Sequence, residues 1–218
     1  GRIREVRFHL NDVSPEAGSE RGTTASLVKG VLAGLQNRGY KVGGFCACIT
    51  SDVPGGSGLS SSAAYETLIG TILSGLYNHM EIPGEVIAMT GQYAENVFFG
   101  KPCGLMDQMA SAIGGLVHID FARPDKPVWE RIEYDFDKSG YCLCITETLG
   151  SHADLTDEYA AIPGELKQVC AFFGKDVLRE IPEADFFAAL PRGDSVKERV
   201  LSMTAGLVLL SASLGSLQ

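Results

Sequence analysis

The sequence predicts an α+β fold. Several segments place apolar residues at helical spacing, and residues 25–38 are the clearest example. Other short segments, such as residues 42–53, have the apolar runs that are typical of strands. The 218 residues contain no internal repeat, and 45% of them are apolar, which is enough to bury a substantial core.

The first 121 residues are predicted to contain three strands and four helices. Charged and apolar residues alternate at the beginning of the chain, as in a half-buried strand. Gly39 ends the first helical stripe, and Pro83 stands where the third helix begins. In chain order we expect a strand at 2–10, a helix at 25–38, a strand at 42–53, helices at 60–77, 83–99 and 105–113, and a strand at 116–121.

The Arg-Pro-Asp-Lys segment at residues 123–126 interrupts this pattern and marks a predicted domain boundary. The resulting domains are residues 1–122 and 123–218. In the second domain we expect strands at 129–134 and 141–146, a helix at 157–174 and a helical tail. The apolar tail at 201–217 is broken by serines and glycines, so we interpret it as part of a core rather than as a membrane span.

The net charge of −9 argues against a nucleic-acid or anionic-membrane partner, because both require a basic face. An anionic ligand held by backbone amides remains compatible with it. The six cysteines lack zinc-finger spacing, and two C-x-C pairs lie in apolar runs, so we expect buried thiols in a reducing cytoplasm. No signal peptide is predicted at the N-terminus.

A glycine-rich loop precedes the second helix and is the strongest functional signal. Glycine lets the backbone turn tightly and approach a ligand closely, and the helix that follows presents free N–H groups to an anion. Hydroxyls in the first helical turn can cap the helix, bind phosphate or bind Mg²⁺. The predicted phosphate-binding residues are Pro54, Gly55, Gly56, Ser57, Gly58, Leu59, Ser60, Ser61 and Ser62.

Three other glycine motifs do not fit this loop. A Walker A loop requires a lysine before its final serine or threonine, and the loop has no lysine. A dinucleotide-binding fingerprint requires a glycine where Ser61 stands. A hydrolase nucleophile elbow requires a glycine where Leu59 stands.

The loop resembles the central motif of the GHMP kinases. Within that superfamily the chain is most similar to the galactokinases, because residues 103–108 read Cys-Gly-Leu-Met-Asp-Gln and residues 93–95 read Tyr-Ala-Glu. The resemblance extends from about residue 25 to about residue 178. It implies a GHMP-kinase-like two-domain fold that is incomplete at both ends.

The resemblance also implies a role for each matching residue. The loop would surround the phosphates of ATP, and Ser62 and Glu95 would be the protein ligands of Mg²⁺. Asp107 would lie against the C1 hydroxyl of the sugar as the catalytic carboxylate, and Gly104 and Tyr159 would contact the sugar.

The chemistry of these residues agrees with such roles. Mg²⁺ prefers oxygen ligands and takes few of them from the protein. A carboxylate in the first turn of a helix stays ionised and is a weak base at neutral pH. In a loose phosphoryl-transfer transition state the attacking hydroxyl needs little activation, so Asp107 would mainly orient it.

Two motifs that galactokinases carry, an N-terminal segment with a catalytic arginine and a C-terminal glycine-rich loop, do not occur in this sequence. We therefore expect a fragment with little or no turnover alone. The leading hypothesis is a cytoplasmic, ATP-dependent kinase for the C1 hydroxyl of galactose or a close relative. The alternatives are a non-catalytic sensor that binds galactose and ATP, and a GHMP kinase for another substrate. The sequence predicts no oligomeric state.

Overall fold

The computed structural model describes residues 5–10, 13, 21–53, 58–123, 125–142, 144 and 156–189. The chain divides into two compact units. The first comprises residues 1–118 and 130–156, and the second comprises residues 119–129 and 157–218.

The described residues are mainly helical. Between α3 and α4 the chain forms a π-helical segment, Ala94–Phe99, and a 3₁₀ turn at Leu178–Glu180 precedes α7. The helices are α1 Thr24–Asn37, α2 Ser61–Tyr77, α3 Gly84–Tyr93, α4 Met106–Ile113, α5 Phe136–Ser139, α6 Thr156–Phe172 and α7 Glu183–Ala189. The strands are β1 Leu116–Asp120 and β2 Val128–Ile132.

Helix α1 is the centre of the core of the first unit. Thr23 caps its N-terminus, because the Thr23 hydroxyl accepts a hydrogen bond from the backbone N–H of Ser26 at 3.3 Å. Val31, Leu32 and Leu35 recur at helical spacing and are almost fully buried. They pack with apolar residues of α2, α3 and the π-helical segment, and this cluster supports the site.

Two glycines allow these helices to approach each other closely. A Cβ atom at Gly30 would lie 2.6 Å from the Cα of Ala94, and one at Gly70 would lie 2.7 Å from Ile87. Real Cβ atoms are not found at such distances, so both contacts require glycine. The π-helical segment is thereby held against α1, and α3 against α2.

The predicted helices of the first unit are confirmed with small changes at their ends. The helix expected at 83–99 is divided, because it changes from α to π geometry at Ala94. Pro83 is the residue that precedes the helix and not its first residue. In the second unit, the helix expected at 157–174 corresponds to α6.

The strand predictions at 2–10 and 42–53 are wrong for the residues that the structure describes there, which form no strand. A strand needs a neighbour for its backbone groups. Directly before the second segment, the backbone of Lys41 is paired with a side chain instead: Asn78 accepts from its N–H and donates to its carbonyl. Phe45 and Ile49 pack against the helical core, which explains the apolar pattern.

β1 and β2 form a two-stranded sheet and correspond to the strands expected at 116–121 and 129–134. The connection at residues 121–127 is too short for a parallel crossover, so the strands are antiparallel. The strand expected at 141–146 is absent at residues 141, 142 and 144, and its remaining residues lie outside the described part. The short helix α5 was not predicted.

The second unit has a small apolar cluster of its own. Val169 of α6 and Phe186 of α7 are buried and pack with Phe173, Leu178 and Ile181. An ion pair of 3.1 Å between Arg179 Nε and Asp120 Oδ2 lies on its surface. The predicted tail at 201–217 lies outside the described residues.

The burial predicted for the C-x-C pairs is wrong. Cys46, Cys48, Cys142 and Cys144 are exposed, whereas Cys170 is buried. The segments that carry the pairs form no strand in the described residues, so no sheet face covers the thiols. Among the described helices, none combines the length and apolar character needed to cross a membrane.

Candidate active site

The start of α2 lies against the start of α4. Ser60, which directly precedes α2, adopts left-handed backbone angles of φ 57° and ψ 45°. This conformation costs a residue with a Cβ about 1–2 kcal/mol. The Ser60 hydroxyl does not cap its own helix and instead donates to Asp107 Oδ2 at 2.6 Å. The strained residue thus connects the predicted phosphate loop to the predicted catalytic carboxylate.

Two residues further along the chain, Ser62 contacts Glu95. The Ser62 hydroxyl donates to Glu95 Oε1 at 3.2 Å. Glu95 is 3% exposed and lies in the π-helical segment, a geometry that is rare and often found at functional sites. Lys101 Nζ lies 3.5 Å from the same oxygen and balances part of its charge.

A second buried carboxylate, Glu66, lies close to this pair. The side-chain amide of Gln108 donates to Glu66 Oε2 at 3.2 Å and to Glu95 Oε2 at 3.0 Å. Burial raises the pKa of Glu66 to about 8, and the charge of Glu95 contributes to the same shift. At neutral pH the site therefore contains a protonated Glu66 beside Glu95.

The segment before α4 is fixed by side chains from the helix before it. Asn96 Oδ1 accepts from the backbone N–H of Cys103 at 2.7 Å, and Gln92 Nε2 donates to the Cys103 carbonyl at 3.3 Å. Burial and the nearby Glu95 raise the pKa of the Cys103 thiol, which therefore stays protonated. A Cβ atom at the neighbouring Gly104 would meet nothing within 4 Å, so the surface there is open.

The structure brings together four of the predicted site residues, as the pairs Ser62–Glu95 and Ser60–Asp107. Asp107 is exposed and lies in the first turn of α4, as predicted. Pro54, Gly55, Gly56 and Ser57 lie outside the described residues. Tyr159 falls in α6, and its side chain lies outside the described part as well.

Three contributors were not predicted from the sequence: Glu66, Lys101 and Gln108. Glu66 follows Ser62 by four residues, a spacing that places both on one face of a helix. This spacing could have indicated that Glu66 lies beside Ser62 in the site. The contact of Gln108 with Glu66 joins residues 42 positions apart and depends on tertiary packing, whereas Lys101 reaches Glu95 through the turn that ends the π-helical segment.

Within the described residues, no group of three or more His, Cys, Asp or Glu side chains is arranged to hold a metal ion. A cation bound between Ser62 and Glu95 would thus need further ligands from a nucleotide or from water.

Comparisons with known proteins find similarity over most of this chain. Residues 26–115 match the family described as GHMP kinases N terminal domain. The match covers 90 of the 218 residues, and the predicted resemblance to the GHMP kinases is confirmed over them.

The chain is similar to galactokinases in particular. Galactokinase of Streptomyces coelicolor is 35% identical to it over 197 residues, which are 90% of this chain and 50% of that protein. The crystal structure of Lactococcus lactis galactokinase complexed with galactose has a TM-score of 0.61 and 22% identity, and the match covers 89% of this chain and 50% of that one. The predicted α+β fold of the GHMP-kinase type is therefore confirmed, and the chain spans about half the length of these relatives.

Proposed function

We propose that this chain forms the phosphate- and cation-binding part of an ATP-dependent sugar kinase that phosphorylates the C1 hydroxyl of galactose or a closely related sugar. One observation carries the proposal: the start of α2 contacts both the predicted cation ligand and the predicted catalytic carboxylate. Ser62 reaches Glu95 at 3.2 Å, and Ser60 reaches Asp107 at 2.6 Å. The similarity to galactokinases supports the choice of sugar.

The residues present fit Mg²⁺. A serine hydroxyl and a carboxylate are hard oxygen donors, and two such protein ligands leave positions for phosphate and water. Bound there with ATP, Mg²⁺ would neutralise charge on the phosphates. We assign its protein ligands to Ser62 and Glu95, with Lys101 as a further positive charge 3.5 Å from the carboxylate.

In this proposal Asp107 orients the attacking hydroxyl. Its Oδ2 already accepts the hydrogen bond from Ser60, and its remaining acceptor capacity is assigned to a sugar hydroxyl. The hydroxyl would donate its hydrogen bond to this carboxylate and transfer its proton there as its oxygen bonds to the γ-phosphorus of ATP, while the bond from that phosphorus to the β–γ bridging oxygen breaks and ADP leaves. The Gly104 backbone and Tyr159 are assigned to the sugar, and residues 54–62 to the phosphates.

The domain division at residues 122 and 123 remains a prediction. Under the proposed function the first domain would supply the phosphate loop and both carboxylates.

The binding part of the proposal is tested by hydrogen exchange. A non-hydrolysable Mg·ATP analogue should slow exchange of the amides at residues 58–62 in the 218-residue chain. Glu95→Gln should weaken this protection, because the variant replaces a cation ligand by a neutral amide. Glu81→Gln, which neutralises an exposed carboxylate outside the site, should not. Equal protection in all three chains would contradict the assignment.

The catalytic part is tested in the natural protein that carries this sequence. Galactose and Mg·ATP should give galactose 1-phosphate, detected by ³¹P NMR, and Asp107→Asn should lower kcat by roughly 100-fold because the hydroxyl loses its orientation. Binding of galactose and ATP without any transfer would favour the non-catalytic sensor.

A further inference from the structure

Gln108 lies between two buried carboxylates. The exposed fractions of Glu66, Gln108 and Glu95 are 0%, 1% and 3%. The Gln108 amide nitrogen carries two hydrogens and has one carboxylate oxygen within reach for each, at 3.2 Å in Glu66 and at 3.0 Å in Glu95. Gln108 is thus a hydrogen-bond donor to both carboxylates, and removal of its amide would take this donor from each of them.

Two oxygen atoms in this group are buried and have no hydrogen-bond partner among the described residues: Glu66 Oε1 and Gln108 Oε1. A polar atom that is buried without a partner destabilises the folded state. The acceptor that lacks a donor, Gln108 Oε1, belongs to the same amide that already bonds Glu66 Oε2.

We propose that Gln108 and Glu66 are positioning residues for Glu95. Glu66 fixes the orientation of the Gln108 amide, and the amide holds Glu95 Oε2, so that Oε1 stays directed at Ser62. The inference rests on the proposed function, because it is there that Glu95 becomes a cation ligand. Hydrogen-bond partners of a metal-binding carboxylate typically change metal affinity by about 10- to 100-fold.

Gly91 provides the space for this arrangement. A Cβ atom at position 91 would lie 3.0 Å from Glu66 Oε2 and 3.2 Å from Gln108 Cγ. Gly91→Ala therefore displaces the Glu66–Gln108 pair while every polar group is retained. This variant therefore tests whether the position of Glu66 and Gln108 matters when both side chains are still present.

The experiment measures Mn²⁺ binding to the 218-residue chain in the presence of ADP by electron paramagnetic resonance. Gln108→Leu, Glu66→Leu and Gly91→Ala should each weaken Mn²⁺ binding by about tenfold or more. Glu66→Gln should stay within about threefold of the wild type, because the oxygen of the new amide can accept the hydrogen bond that Gln108 Nε2 now donates to Glu66 Oε2. Circular dichroism checks that each variant is folded.

Glu95→Ala distinguishes this inference from the proposed function. If Glu95→Ala leaves Mn²⁺ affinity unchanged, the cation site itself is wrong. If Glu95→Ala weakens binding but Gln108→Leu and Gly91→Ala do not, the cation site stands and the positioning role is overturned.

A second measurement needs neither a cation nor a stable core variant. In the wild-type chain, the NMR signals of the Gln108 side-chain amide should exchange slowly with solvent, and Glu95→Ala should shift them. Fast exchange, or signals that do not respond to Glu95→Ala, would overturn the inference even if the chain bound no Mn²⁺·ADP.

Discussion

Glu66→Gln tests whether a protonated carboxyl lies in the core of the site. The glutamate is fully buried, and its pKa is raised from 4.5 to about 8, mainly by burial. In the unfolded chain the same carboxyl is ionised above pH 4.5. Between these two values the folded state binds one proton more than the unfolded state, so the stability of the wild type falls as the pH rises.

The magnitude follows from the pKa difference. Each pH unit between 4.5 and 8 costs the wild type about 1.4 kcal/mol, so the loss is below about 1 kcal/mol at pH 5 and on the order of 3 kcal/mol at pH 7. Glutamine has no proton to lose. The free energy of unfolding of Glu66→Gln, relative to that of the wild type, should therefore increase by roughly 2–3 kcal/mol from pH 5 to pH 7.

The assay is urea denaturation of both chains at several pH values from 5 to 8.5, followed by circular dichroism. Glu81→Gln removes an exposed carboxylate and serves as the matched control, and its difference from the wild type should not change over this range. If the difference for Glu66→Gln is equally flat, Glu66 is ionised in the folded protein and the reasoning is refuted.

Two further predictions concern helix α1. Gly30→Ala should destabilise the fold by about 1–3 kcal/mol, because the new Cβ would lie 2.6 Å from the Ala94 backbone. A lower melting temperature checks this, and Gly44→Ala, where the Cβ meets nothing within 4 Å, is the control. Thr23→Ala should lower the free energy of unfolding by about 1 kcal/mol, because the N-cap hydrogen bond is lost. Thr23→Ser keeps a hydroxyl and should retain most of that stability. Equal stability of these two variants would contradict the capping role.

Helices could be predicted from the sequence because their apolar stripes are local. The stripe of Val31, Leu32 and Leu35 needs only the 3.6-residue period and is buried as expected. The segment at 42–53 has equally apolar character, yet a strand requires a neighbour that no local pattern guarantees. Phe45 and Ile49 instead pack their side chains against the helical core.

In the candidate site, too, one contact could be predicted from the sequence and another could not. Ser62 and Glu95 were predicted as a pair through the resemblance, and they lie together in the structure. The bond from Ser60 to Asp107 was not foreseen, since it requires a left-handed serine at a position where a helix cap was expected. Strained backbone of this kind is set by the surrounding structure, so composition gives no sign of it.

The π-helical segment at Ala94–Phe99 has a consequence for how this site tolerates change in length. A π turn closes hydrogen bonds from residue i to i+5 and so contains one residue more than an α turn. The wider turn absorbs this extra residue, so the residues before and after the segment keep nearly the relative orientation of a continuous α-helix. Loss of one residue within the segment would give an ordinary α turn and leave Lys101 and Cys103 close to their present orientation, whereas loss of one residue from α3 would rotate them by about 100° relative to the start of that helix. The π-helical segment is thus the place where this helix can change its length by one residue with least effect on the residues that follow.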